Sequence, residues 1–199
     1  MLKNVVVLVS GGGTNLQALI DAEQRGEIRG GKISRVISSN PQAYALERAK
    51  KAGILTEVLA RRQYQSREDY DSALMAALER AQADLIVLAG FMYVLGPDLV
   101  QAYERRIINV HPSLIPSFCG DGFYGLRVHE AALAYGVKVT GATVHFVNEV
   151  TDGGQIILQK AVDVREGDTP EVLQKRVMEE AEWKLLPEAV SLFCEGKIQ

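Results

Sequence analysis

Two hydrophobic patterns alternate along the chain. Short runs of consecutive β-branched and aliphatic residues predict buried strands, and longer stretches with apolar residues at every third or fourth position predict amphipathic helices. In the first half, strands are predicted at residues 5–9, 35–37, 57–59 and 85–88. Helices are predicted to start near Leu16, at Tyr44 and after Ser66, where a serine followed three residues later by Asp69 resembles a capping box.

The second half departs from this strict alternation. A short helix is predicted to begin at Gly96-Pro97, and a fifth strand, residues 107–110, stops at His111, which precedes a proline. Residues 112–125 hold too many glycines and prolines for a helix and are predicted to form a loop. The remaining predicted elements are a helix at 127–134, strands at 137–147 and 156–162, and a C-terminal helix that begins at Thr169-Pro170 and kinks at Pro187.

This order of elements predicts an α/β fold. Alternating strands and helices build a mostly parallel twisted sheet with helices on both faces, a Rossmann-like arrangement, and the last two strands add an antiparallel hairpin toward the C-terminus. No linker or repeat divides the chain, so one domain is predicted over residues 1–199. Residues 1–105 form its expected phosphate-binding half, and residues 106–199 its expected catalytic half.

Composition narrows the classes of function. The chain of 199 residues is 47% hydrophobic and carries 22 basic and 25 acidic residues, which supports a packed core and excludes disorder as the main state. This charge balance argues against nucleic acid or an anionic membrane as the main partner. The longest uncharged apolar stretch, residues 85–95, is too short to cross a membrane. Because a secretory signal is also missing, the expected location is the cytoplasm.

Three consecutive glycines stand between the first predicted strand and the first helix. They are followed by Thr14 and Asn15, and exposed N–H groups at such a turn, together with the helix dipole, favour a phosphate. A dinucleotide is disfavoured, because Leu16 stands where the G-x-G-x-x-G pattern requires its third glycine, and the Walker lysine is missing too. The sequence therefore favours a monophosphate site over a turn that only joins strand to helix.

Asn109 and His111 lie at the end of the fifth predicted strand, two residues apart and so on one face. Ligands of open α/β sheets collect beyond this strand end. A histidine can give a proton to a developing oxyanion while an amide hydrogen-bonds the same oxygen, which suits acyl transfer. Asp152, in a glycine-flanked loop, is the candidate partner of the histidine. The alternatives are a structural strand-end histidine and an aspartate that only forms a turn.

The other histidines and the possible metal ligands give weaker evidence of function. His145 lies in a strand among apolar residues and is interpreted as structural, whereas His129, near a helix start, is a residue that could line the loop. No His, Cys, Asp or Glu residues are spaced as zinc ligands, so no metal is predicted. The G-x-S-x-G signature of serine nucleophiles is also missing.

Several segments carry a resemblance that covers nearly the whole chain. They are VLVSGGGTNLQA at 7–18, LAGFM at 88–92, INVHPSLIP at 108–116, GATVHFV at 141–147 and DGG at 152–154. The chain resembles the phosphoribosylglycinamide formyltransferases, folate-dependent enzymes of purine synthesis. The later segments are shared by the wider formyltransferase superfamily, whereas the glycine loop and the chain length are typical of this member.

The resemblance implies a reaction and a set of site residues. The reaction is transfer of the formyl group of 10-formyltetrahydrofolate, a co-substrate, to the amine of N1-(5-phospho-D-ribosyl)glycinamide, the third step of IMP synthesis, without a metal. The implied residues are Asn109, His111 and Asp152 for catalysis; Gly12, Gly13, Thr14, Asn15 and Glu182 for the ribonucleotide; and Arg67, Met92, Tyr93, Val94, Leu95, Asn109, Val150 and Thr151 for folate.

The implied mechanism is direct attack of the amine through a tetrahedral intermediate. Asn109 and protonated His111 would stabilise the oxyanion, and Asp152 would raise the pKa of His111 by ion pairing. Three features depart from the family pattern: the loop 117–125 is longer, Tyr93 replaces a frequent arginine, and Thr151 stands where an aliphatic residue is usual. They bear on the folate opening, and none touches the catalytic trio.

Three rival functions remain beside this one. A 10-formyltetrahydrofolate hydrolase would use the same trio on water, but such hydrolases carry an extra N-terminal domain and this chain begins at its first strand. Methionyl-tRNA formyltransferase would need a further C-terminal domain and a basic surface. A non-catalytic nucleotide-binding module would not need Asn109, His111 and Asp152 together. The expected partners are small molecules, with a homodimer left open.

Overall fold

A computed structural model describes residues 1–198, so Gln199, the last residue of the predicted domain, lies outside it. The strands are β1 (Lys3–Val9), β2 (Gly31–Ser38), β3 (Leu55–Val58), β4 (Leu85–Leu88), β5 (Ile107–His111), β6 (Val139–Phe146) and β7 (Ile156–Asp163). The α-helices are α1 (Thr14–Gln24), α2 (Tyr44–Lys51), α3 (Arg67–Arg80), α4 (Pro97–Ala102), α5 (Leu126–Tyr135), α6 (Pro170–Val177) and α7 (Trp183–Cys194).

All seven strands form one sheet in the order β3-β2-β1-β4-β5-β6-β7. Strands β1 to β5 pair in parallel, and β6 and β7 are antiparallel to their neighbours. This confirms the predicted fold class. The strand order reverses between β1 and β4, and the crevice beyond the carboxyl ends of strands at such a reversal is where α/β sheets bind ligands.

The core lies on both faces of the sheet. Alternate residues of β1 divide between them: Val5, Val7 and Val9 pack in one apolar cluster, and Val6 and Leu8 in the other. The first cluster includes residues of α1, α2, α6 and α7, and the second includes residues of α3 and α4. Helices on both sides explain why β1 and β4 are almost entirely apolar rather than alternating.

The N-cap residues expected from the sequence begin two of the helices. The hydroxyl of Ser66 accepts a hydrogen bond from the Asp69 N–H at 3.0 Å, which makes Ser66 the N-cap of α3. Thr169 caps α6 in the same way through the N–H of Val172. Strand β3 differs from its prediction, since it covers Leu55–Val58 and not 57–59.

The C-terminal helix departs from its prediction in a different way. A π-helical turn, Met178–Glu182, separates α6 from α7, and α7 then continues through Pro187. The irregular turn lies upstream of Pro187, and the kink expected at this proline stays a prediction. Proline lacks the N–H that would bond the carbonyl of Trp183, the first residue of α7, so the missing bond falls beside the widened turn.

Within residues 1–198, no helix combines the length and apolarity that a membrane crossing requires.

Candidate active site

The predicted site residues collect at the sheet edge beyond β1, β4 and β5. Two hydrogen bonds join the loops after β1 and β4: the Ser10 N–H donates to the Gly90 carbonyl at 3.1 Å, and the Met92 N–H donates to the Ser10 hydroxyl at 2.9 Å. His111 is the last residue of β5. The strand reversal thus brings the glycine loop and the catalytic candidates to the same edge of the sheet.

The glycine loop, residues 10–15, leads directly into α1. Gly13 is the N-cap residue of this helix, with a left-handed φ of 74° and no side chain to cap the first turn. A Cβ on Gly13 would lie 2.6 Å from the Cβ of Ala45, so only glycine fits there. The first N–H groups of α1 consequently remain available to an anion at the positive end of the helix.

Asn15 and Glu182 form a buried polar pair beside this loop. The amide of Asn15 donates to the Glu182 carboxyl at 2.8 Å, and the amide oxygen of Asn15 is buried without a partner within residues 1–198. Burial raises the pKa of Glu182 to about 7, against the lowering effect of the bond from Asn15. The π-helical turn ends at Glu182 and places its carboxyl against α1. An acceptor pair of this kind suits the hydroxyl groups of a sugar.

His111, Asp152 and Asn109 lie together with a fourth residue, His145. Nδ1 of His111 is 3.4 Å from Oδ2 of Asp152, and Nε2 of His145 is 3.6 Å from Oδ1 of the same carboxylate. The ring of His145 donates from Nδ1 to the carbonyl of Phe146 at 2.8 Å, so its Nε2 accepts from the Asn109 amide at 3.2 Å. His145 thereby fixes the amide orientation and leaves the second N–H of Asn109 free.

Burial sets the protonation of the two central groups. It lowers the pKa of His111 below its usual value, and the Phe118 carbonyl and the Asp152 carboxylate oppose this without reversing it. The Asp152 carboxylate raises the pKa of His111, as expected, but burial has the larger effect and the net direction is downward. Burial alone would raise the pKa of Asp152, but the rings of His145 and His111, which attract the carboxylate when they are protonated, and the Gly120 N–H outweigh burial and lower it. Asp152 is thus a carboxylate at neutral pH.

The lid, defined as residues 117–125, covers this cluster. Nε2 of His111 donates to the carbonyl of Phe118 at 2.8 Å, and the Gly120 N–H donates to Asp152 at 2.9 Å. A third bond runs from the Thr151 hydroxyl to Asp121 at 3.0 Å. Both ring nitrogens of His111 therefore face protein oxygen atoms, and no ring N–H is left for a substrate in this conformation.

The folate-binding positions given by the resemblance form a strip beside the crevice. Met92 and Val94 are 60% and 62% exposed, which is unusual for apolar side chains and leaves them open to an apolar ligand. Tyr93 packs edge-on against Tyr70, with ring centroids 4.6 Å apart. The side chain of Leu95 is buried in the core, so only its backbone borders the strip.

Arg67 closes the outer end of this strip. Its Nη2 donates to the carbonyls of Val94 and Leu95, both at 3.1 Å, and its Nε lies 3.7 Å from Asp71. Val150, on the loop that holds Asp152, is exposed, and Thr151 is bonded to the lid. The predicted folate residues therefore fall into two groups, one in the strip with Arg67 and one on the loop of Asp152.

No group of three or more His, Cys, Asp or Glu side chains within residues 1–198 is arranged to hold a metal ion.

Known proteins match this chain over most of its length. A family model described as formyl transferase matches residues 3–190. This chain belongs to that family. Among curated formyl transferases, the phosphoribosylglycinamide formyltransferase of Escherichia coli is 41% identical over 196 residues, which cover 98% of this chain and 89% of that protein. The human trifunctional purine biosynthetic protein adenosine-3 is 45% identical over 195 residues, 98% of this chain.

This chain spans only 19% of the length of the human trifunctional protein. Solved structures of formyl transferases match it almost fully. Glycinamide ribonucleotide transformylase 1 from Symbiobacterium toebii superposes with a TM-score of 0.92 at 45% identity, over 98% of this chain and 89% of that one. The phosphoribosylglycinamide formyltransferase of Coxiella burnetii gives 0.90 at 41% identity, over 98% of this chain and 89% of that one.

Sequence reasoning missed two members of the cluster. His145 is satisfied by hydrogen bonds, as expected of a structural histidine, but it lies within the site and contacts Asn109 and Asp152. The antiparallel pairing of β5 with β6 places His145 opposite Asn109, and a prediction of this pairing would have found it. The carbonyl of Phe118 was also missed, because no local pattern predicts which loop carbonyl meets a catalytic ring.

Proposed function

We propose that this formyl transferase moves the formyl group of 10-formyltetrahydrofolate to the amine of phosphoribosylglycinamide, in the third step of IMP synthesis. One observation carries the proposal: the uncapped N-terminus of α1, which suits a phosphate, lies at the same sheet edge as the cluster of Asn109, His111 and Asp152. An amine whose phosphate rests at α1 can then be held next to a proton-donating ring.

The names of the relatives support this choice of substrates. Phosphoribosylglycinamide formyltransferases from several bacteria align over nearly the whole of this chain. The trifunctional proteins are far longer, so of their activities only formyl transfer is proposed for this chain. We also propose the division of labour expected from the sequence, with residues 1–105 binding the phosphate and residues 106–199 supplying the catalytic groups and part of the folate site.

In the proposed mechanism the substrate amine attacks the formyl carbon directly. The tetrahedral intermediate then breaks its bond between the formyl carbon and N10 of the folate, and the proton lost by the amine passes to N10, which leaves as tetrahydrofolate. The free N–H of Asn109 and the Nε2–H of His111 bind the oxyanion of the tetrahedral intermediate. Asp152 accepts from His111 and stabilises the ring when it is protonated, offsetting the effect of burial. The lid must first release Nε2 of His111, so folate binding and lid movement are linked.

The binding residues take the roles that the family resemblance implies. Gly12, Gly13, Thr14 and Asn15 hold the phosphate, and Glu182 accepts from the ribose hydroxyls. The folate lies between the strip of Arg67, Met92, Tyr93, Val94 and Leu95 on one side and Asn109, Val150 and Thr151 on the other. Both ligands are small molecules, and we propose action in the cytoplasm and a homodimer as the assembly to test.

An absorbance assay of tetrahydrofolate production tests the proposal. Release of tetrahydrofolate should require both 10-formyltetrahydrofolate and phosphoribosylglycinamide. Equal release without the ribonucleotide would identify a hydrolase instead. No release in either case, with retained binding of the ribonucleotide, would identify a non-catalytic binding module.

A further inference from the structure

The backbone of the glycine loop is anchored from behind by α2. The Ala45 N–H donates to the Gly11 carbonyl at 3.1 Å. Nε of Arg48 donates to the Gly12 carbonyl at 2.8 Å, and Nη1 of the same guanidinium donates to the Gln17 side chain at 3.1 Å. Two successive carbonyl groups of the loop are therefore bonded to one helix.

This anchoring fixes the direction of the N–H groups. In a planar trans peptide the C=O of one residue and the N–H of the next point in opposite directions. Because α2 holds the carbonyls of Gly11 and Gly12, the N–H groups of Gly12 and Gly13 point away from α2, and neither has a hydrogen-bond partner within residues 1–198. They form an anion-binding concavity with the start of α1.

Arg48 is itself fixed by its neighbours. Its guanidinium lies 5.0 Å from the ring centroid of Tyr44, one turn earlier on α2, in a cation–π contact. Gln17, the third partner, is on α1, so the side chain joins α2, the glycine loop and the first helix. A planar group with several donors suits this task better than a lysine, which has a single nitrogen.

We propose that Arg48 is a positioning residue for substrate phosphate: it holds the Gly12–Gly13 peptide in the orientation that binds an anion and adds positive charge behind it. This inference rests on the proposed function for the identity of the phosphorylated substrate. Arg48 itself lies on the carbonyl side of the loop and does not touch the phosphate. Phosphate affinity should therefore depend on Arg48, and the chemical step should not.

Titration calorimetry with inorganic phosphate and with ribose 5-phosphate tests this directly, without turnover. Arg48→Ala should raise both dissociation constants about tenfold, which corresponds to about 1.4 kcal/mol. Arg48→Lys, which keeps the charge and can bond only one partner well, should raise them about threefold. The matched control is Lys51→Ala, one turn further on α2, which also faces Tyr44 and bonds no loop carbonyl; it should stay within about twofold of wild type.

Steady-state kinetics separates positioning from general stability. Arg48→Ala should raise the KM for phosphoribosylglycinamide about tenfold at unchanged kcat and unchanged folate KM, and affinity for the unphosphorylated glycinamide riboside should not change. Unchanged phosphate affinity in Arg48→Ala, or equal losses in Lys51→Ala, would overturn the proposal. If Arg48→Ala does not fold, the Arg48→Lys result decides alone. If the proposed function is wrong, the wild-type protein will show no formyl transfer. The phosphate titrations would still decide the role of Arg48, because they do not depend on turnover.

Discussion

The glycine loop and the catalytic cluster prepare for ligands in opposite ways. At the loop, protein contacts occupy the carbonyl side of each peptide and leave the N–H groups of Gly12 and Gly13 open. At the cluster, the lid occupies one donor and one acceptor, since Phe118 accepts from His111 and Gly120 donates to Asp152. The first region is ready for an anion, whereas the second becomes available only after a segment moves. A preorganised anion site and a covered catalytic cluster therefore lie at the same edge of the sheet.

The largest effect should come from Asp152→Asn, which removes charge from the occluded region only. Without the carboxylate, protonated His111 loses its partner, and kcat should fall about a thousandfold, in the range of general acid catalysis. The KM for the ribonucleotide should change less than about twofold. The control is Glu149→Gln, the same chemical change at an exposed position of the same loop. Equal losses of kcat and ribonucleotide affinity would contradict the separation of the two regions.

A charge placed in the open region should affect binding alone. In Gly12→Asp the added Cβ meets nothing within 4 Å, so the protein folds, and the carboxylate repels phosphate. We expect the ribonucleotide KM to rise about a hundredfold, or about 2.7 kcal/mol, with folate KM unchanged. Gly13 is unsuitable for this experiment because its Cβ would collide with Ala45. Gly12→Ala is the control for backbone effects, and a comparable rise there would show that charge is not the cause.

Weakening the contacts of the lid should make folate binding easier. Asp121→Ala removes the hydrogen bond to Thr151 at the lid surface, which favours the open conformation. If folate binds only after opening, its KM should fall about threefold, because more of the protein is competent to bind. Hydrogen exchange at the Gly120 amide should become faster. Thr151→Val should give the same change, and the double variant no further one; an increased folate KM would contradict occlusion by the lid.

The last prediction concerns folding stability and His129, a buried ring outside the catalytic cluster. Both of its nitrogens lack partners within residues 1–198, and burial, with a smaller effect of His111, lowers its pKa to about 4. The unfolded chain takes up this proton near pH 6.5, so stability falls as the pH drops from about 6.5 toward 4. His129→Leu should remove that part of the loss, about 2 kcal/mol at pH 5, in urea titrations. An identical pH dependence in both proteins would refute the assignment.

The sequence predicted what depends on neighbouring residues. The serine and threonine caps of α3 and α6 and the glycines before α1 are local patterns, and the structure has them as expected. The alternation of strands and helices was enough for the fold class, because right-handed crossovers leave few ways to arrange such elements. Asn109, His111 and Asp152, three members of the catalytic cluster, were also expected from one strand end and one turn.

What the sequence did not predict depends on contacts between distant segments. His145 enters the site because β6 pairs antiparallel to β5 in a register that no local pattern specifies. The net lowering of the pKa of His111 follows from burial beneath the lid, which depends on how residues 117–125 fold back. The π-helical turn was missed because its apolar spacing continues that of the flanking helices.

The π-helical turn Met178–Glu182 links the position of the Glu182 carboxyl to the packing of α7 in the core. A π turn accommodates one residue more than the regular helix would, and each residue of a helix turns its successor by about 100°. Deleting one residue between Met178 and Glu182 would restore regular winding, yet it would swing either the Glu182 carboxyl away from Asn15 or the apolar side of α7 away from the sheet. The position of the Glu182 carboxyl, the proposed ribose contact, and the packing of the last helix are thus coupled through one residue of chain length.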